Sequence, residues 1–156
     1  MTFSESLAQA LEGASQVILV GIGNELNGDD GFGVRAAEEI GTFGRMKSIM
    51  AHTVPENFIS RIAAEKPTHV IFADAAILDA PSGTLQLIEF GDMARMRTMT
   101  HRIPLSKIIE RLLSLHECKV LIVGVQPKSM EVGAPLSEEV SKAVEDLAGF
   151  LRQNLS

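Results

Sequence analysis

Apolar positions along this chain follow two rhythms, and their alternation predicts the fold. Residues 16–22 (Gln16-Val17-Ile18-Leu19-Val20-Gly21-Ile22) form a nearly continuous β-branched run, the pattern of a strand buried on both faces. Residues 69–73 and 119–125 read the same way, the first ending at Asp74. Residues 46–54 and 85–90 are less regular strand candidates. Helical spacing fills the intervals. Val34, Ala37 and Ile40 share one face. Pro55-Glu56-Asn57 opens a helix reaching about Ala64, with Phe58, Ile59 and Ile62 on one side. Pro104 starts a helix carrying Leu105, Ile108, Ile109, Leu112 and Leu113. Ser137 is placed to cap a C-terminal helix running to about Leu151. Strands alternating with helices predict an α/β fold: one domain over residues 1–156, with a twisted, mainly parallel sheet of about five strands between helices on both faces. Sites in such sheets form beyond the carboxyl ends of the strands. Three segments deliver polar groups there: the loop after Ile22, Asp74, and the stretch after Val125.

Composition narrows the partners. With 156 residues, 46% of them apolar and 22% charged, the chain can bury a core without disulfides or a metal cluster. Its aromatics are all Phe, so the stacking platforms of single-strand nucleic-acid binders are missing. Lys plus Arg total 14 against 20 Asp plus Glu, a net charge of −6. That balance provides no basic stripe for a duplex and no attraction to an anionic bilayer, so neither nucleic acid nor membrane is expected as a partner. The single cysteine, Cys118, forms no internal disulfide and has no adjacent His; it reads as a small core residue. No basic, then apolar leader opens the chain, and no apolar run approaches the roughly 20 residues of a membrane span. A soluble, cytoplasmic protein is expected.

The densest chemistry lies in Gly21-Ile22-Gly23-Asn24-Glu25-Leu26-Asn27-Gly28-Asp29-Asp30-Gly31-Phe32-Gly33, between a buried strand and a helix. Phosphate loops occupy such turns, with backbone N–H groups and a helix N-terminus facing the anion. Here Glu25, Asp29 and Asp30 crowd that place, and the Gly-x-Gly-x-x-Gly spacing fails at Leu26, so no nucleotide is expected. Carboxylates also suit a helix N-terminus, which accounts for one of Asp29 and Asp30 more readily than for both. The glycines are read as serving a tight turn and the close approach of a substrate backbone. Asp74, at the end of a buried strand, is costly unless hydrogen-bonded or bound to a cation; alone it could cap the next turn. His101, just before the Pro104 helix, could alone be a cap or a surface residue. Together, two carboxylates and a His at one sheet edge make an O,O,N ligand set for a divalent transition metal with open positions. His52, His69 and His116 lack a partner motif and read as structural or surface residues. No Gly-x-Ser-x-Gly elbow is present.

These motifs resemble the nickel-iron hydrogenase maturation proteases. The likeness rests on Gly21-Ile22-Gly23-Asn24 with Asp29-Asp30-Gly31-x-Gly33, then Asp74-Ala75, Thr100-His101-Arg102-Ile103-Pro104-Leu105, Gly124-Val125-Gln126-Pro127 and Gly133-Ala134-Pro135-Leu136-Ser137. It spans nearly the whole chain, and the Thr-His-Arg-Ile-Pro-Leu stretch is most similar to the formate-hydrogenlyase branch. The resemblance implies a phosphorylase/hydrolase-like α/β fold and an endopeptidase that removes a C-terminal extension from a hydrogenase large-subunit precursor after nickel insertion. It implies nickel carried by the precursor rather than held by the enzyme. It maps the nickel-sensing residues onto Asp30, Asp74 and His101, with Asp30 and Asp74 also the catalytic carboxylates. Some relatives carry Glu where this chain has the shorter Asp30. Gly23, Asn24, Glu56 and Asn57 correspond to a substrate cleft, and a monomer is expected. Two other readings stand beside it. One is a non-catalytic metal-binding maturation chaperone. The other is a peptidyl-tRNA hydrolase-like esterase, against which stand Glu25-Leu26 after Asn24 and the acidic charge.

Overall fold

A computed structural model describes residues 1–91, 97–98 and 104–156. The elements run α1 (Phe3–Ala10), β1 (Val17–Ile22), a 3-10 turn (Gly28–Gly31), α2 (Phe32–Ile40), β2 (Met46–His52) and a second 3-10 turn (Pro55–Phe58). They continue with α3 (Ile59–Ala64), β3 (His69–Ile77), β4 (Leu85–Glu89), β5 (Arg97–Thr98), α4 (Leu105–Leu115), β6 (Lys119–Val125) and α5 (Glu138–Leu155). The main sheet has the order β2-β1-β3-β6-β4. Its first four strands are parallel, and β4 closes the edge antiparallel to β6. The two residues of β5 pair antiparallel with Ala76 and Ile77, beyond the main ladder. The expected mainly parallel sheet between helices is therefore present.

Near-continuous apolar strands follow from helices on both faces. Val17, Leu19, Ile71, Ala73, Leu121 and Val123 face one core cluster with residues of α1, α2 and α5. Ile18, Val20, Val70, Phe72, Val120 and Ile122 face the other, with residues of α3 and α4. Ser137 caps α5 as expected, its side chain accepting from the Val140 N–H.

Four features differ from expectation. β3 does not end at Asp74; it runs to Ile77, because β6 accompanies it to Ala75 and β5 beyond that. The helix opened by Pro55 begins as a 3-10 turn before α3. β5 has no sequence signal, being two residues long. Helix α1 was not expected either, although Thr2 and Glu5 form a reciprocal capping box and Leu7 and Ala10 are buried.

Candidate active site

The site is set by where the strands stop. β1 pairs with β3 only as far as Gly21 against Ala73, whereas β3 stays paired with β6 through Ala75 against Val125. Asp74 is thus the first β3 residue past the end of the β1 ladder. By strand alternation it follows Val70 and Phe72 onto the α3/α4 face. It is fully buried, and its Oδ1 accepts the Ala75 N–H at 2.9 Å.

Loop 23–31 closes over that gap. The Gly23 N–H donates to the His52 carbonyl at 2.9 Å, and Gly23 has a φ of +138°. A Cβ on Gly23 would strike the Asp30 carbonyl. The Asn24 N–H donates to Asp30 Oδ2 at 3.0 Å, and Asn24 Oδ1 accepts the Leu26 N–H at 3.0 Å. Gly33, in the first turn of α2, lies against the carbonyls of Ala73 and Ile22, so α2 starts in contact with the ends of β1 and β3. The 3-10 turn carrying Asp30 packs against β3. Asp30, 1% exposed, and Asp74 are therefore brought to the same end of the sheet. The groups pressed on Gly23 and Gly33 belong to the chain's own backbone. A side chain at either position would therefore collide with main chain.

The other acids of the loop separate by partner. Glu25 lies on the surface, 3.7 Å from Arg35. Asp29 is fully buried, and its carboxylate accepts from the N–H groups of Lys128, Ser129 and Ser137 and from the Ser137 hydroxyl. It fastens the loop after β6 rather than the α2 dipole. Gln126 plays a similar part on the far side of that loop. Its Oε1 accepts the Leu78 N–H at 2.7 Å, and its main chain bonds Gly83 and Thr84. No local pattern marks these two roles, because every partner is remote in sequence.

Comparison with known proteins decides the family. The family described as hydrogenase maturation protease matches residues 34–153. The chain belongs to this hydrogenase maturation protease family. It is 31% identical over 131 residues to the hydrogenase 3 maturation protease of Escherichia coli K12, covering 82% of this chain and 83% of that one. A Methanocaldococcus jannaschii relative, described as a candidate hydrogenase maturation protease, is 32% identical over 94% of this chain and 92% of its own. Among solved structures, the nickel-iron hydrogenase maturation protease HycI of Thermococcus kodakarensis superposes with a TM-score of 0.86. The two share 26% identity over 96% of this chain and 98% of that one.

In this maturation protease the remaining candidates fall in distinct places. Glu56, half-buried, and Asn57, exposed, lie on the 3-10 turn after β2, at the sheet end where Gly23 binds His52. His101 lies outside the described residues, as does the rest of the Thr100-to-Ile103 motif. Helix α4, which begins directly after Pro104, packs on the face that Asp74 shares. Among the described residues, no group of three His, Cys, Asp or Glu side chains is spaced to hold a metal ion. His69 is buried at the opposite end of β3, and burial pulls its ring pKa below the ordinary value, with Lys119 adding to the shift and a backbone bond at Ala10 opposing it. His116 Nε2 pairs with the Pro67 carbonyl at 2.7 Å. Cys118 packs against the α3/α4 core, and burial raises its thiol pKa, so it behaves as a core residue. No described helix is long and apolar enough to cross a membrane.

Proposed function

We propose that residues 1–156 act as one unit, an endopeptidase that removes the C-terminal extension of a nickel-iron hydrogenase large-subunit precursor once nickel is in place. Nickel enters as part of the substrate, and Asp30, Asp74 and His101 engage it. The observation that carries this reading is the burial of two carboxylates, from two different segments, at the open end of the β1–β3 ladder. A family of hydrogenase maturation proteases supplies the reaction class. Buried carboxylates stay ionised at a cost unless hydrogen bonds or a cation hold them. A substrate-borne divalent ion adds a cation beside these two carboxylates only when the correct, metal-loaded precursor arrives. Binding then sets the scissile peptide beside the acids, one of which accepts the proton of the attacking water. His101 contributes the nitrogen ligand of the O,O,N set. Glu56 and Asn57 line the approach of the extension.

The deciding experiment incubates the enzyme with nickel-loaded and nickel-free precursor and follows the C-terminal peptide by mass spectrometry. Release from the loaded precursor alone is expected. Equal release from both would remove nickel from the recognition step, and release from neither would overturn the assignment.

A further inference from the structure

Asp29 adjoins Asp30 yet takes no part in the chemistry above. Its Oδ2 accepts from the N–H groups of Lys128 (2.8 Å) and Ser129 (3.1 Å) and from the Ser137 hydroxyl (2.9 Å). Its Oδ1 accepts the Ser137 N–H at 2.7 Å. Its own N–H donates to the Ser129 carbonyl at 2.8 Å. An ionised carboxylate offers about four acceptor positions, so these donors use it up. Asp29 is a fastener, and its location says for what. The preceding Gly28 has its Cα so close to the Ser129 carbonyl that a Cβ would lie 2.7 Å from that oxygen. The following residue is Asp30. At the far end, Ser137 caps α5, whose Val140, Val144 and Leu147 are rooted in the core.

We propose that Asp29 is a positioning residue: it pins the peptide that carries Asp30 to the loop 128–137, and so fixes where the Asp30 carboxylate meets Asn24 and the substrate. The proposal rests on Asp30 acting in the reaction. The bond from the Asn24 N–H to Asp30 Oδ2 reports the geometry directly, without catalysis.

The variant is Asp29→Asn. Its remaining oxygen can keep the three donors at Oδ2, while its amide NH2 meets the Ser137 N–H donor to donor. It is expected to fold, as checked by thermal melts. In the free protein, amide exchange at Asn24 should quicken about 10-fold or more, while β1 and β3 amides keep their protection. Against nickel-loaded precursor, kcat per folded molecule should fall about 10-fold with KM held within about twofold. A purely structural role would lower the melting temperature and the folded fraction, but neither of those two quantities. Unchanged Asn24 exchange, or unchanged kcat per folded molecule, overturns the proposal. Should Asp29→Asn not fold, Ser137→Ala removes one donor of the four and carries the same test, with expected effects of about threefold. If the wild type releases no peptide, the functional reading fails, and Asn24 exchange alone still decides whether Asp29 positions Asp30.

Discussion

Asp30, Asp74 and Asp29 are all buried, and the proposed function gives the first two the reaction and Asp29 the positioning of Asp30. Asp29 accepts from four protein donors that tie it to loop 128–137, whereas Asp30 and Asp74 lie at the end of the β1–β3 ladder. Asp30→Asn, Asp74→Asn and His101→Ala should each abolish peptide release. For the two Asp variants, melting temperatures should stay near wild type or rise, since relieving buried charge offsets what little packing is lost. Normal cleavage by Asp30→Asn and His101→Ala would remove both from the site. Gly33→Ala should do the reverse, destabilising the fold by about 2–3 kcal/mol, because its methyl would press on the Ala73 and Ile22 carbonyls; urea unfolding reads this. His69 makes a pH prediction. Its folded pKa lies below the unfolded one, so on acidification the unfolded chain takes up the proton first. This contribution to stability is constant above the ordinary histidine range and declines as pH falls through it. His69→Gln should flatten that part of a melting-temperature profile between pH 7.5 and 5.5.

Among the elements, legibility followed the source of each signal. β1 and β6 were readable because burial on both faces leaves an unbroken apolar run. α4 and α5 were readable from Pro104 and Ser137 at their starts. In β3, Asp74 looks like a terminator, but pairing with β6 overrides a single polar residue. Asp74 itself was picked out by that same anomaly, a carboxylate inside an apolar strand. Asp29 could be noticed but not interpreted, since its donors lie 99 to 108 residues away. The α1 capping box is legible in Thr2-x-x-Glu5. Thr2→Ala should cost about 0.5–1 kcal/mol in thermal unfolding. Val20→Ala, which truncates a fully buried side chain of β1, should cost roughly 1–3 kcal/mol and leave cleavage per folded molecule intact.

For the molecule as a whole, a turn between a strand and a helix need not bind phosphate. The Asn24 N–H that an anion would use is already given to Asp30, and Gly23 and Gly28 face the chain's own carbonyls while Gly31 faces Glu25. Equilibrium dialysis with ATP or NAD should therefore show no binding in the low micromolar range; such binding would mean that loop 23–31 opens. The end of the sheet is instead a joint between two segments remote in sequence, and the way they are joined has a consequence for how such proteins diverge. Three of the four donors to Asp29 are main-chain amides, indifferent to the side chains that carry them. Asp29 thus makes no demand on side-chain identity at 128 and 129, and within 130–136 identity is held mainly at Gly133, with its φ of +84°, and at Met130 and Leu136, which pack on the core, whereas length is held throughout, because one residue more or fewer would carry the Ser137 amide out of reach. In a mutational library, single deletions between 130 and 136 should be purged, whereas substitutions at Glu131 and Val132, which are exposed, should survive.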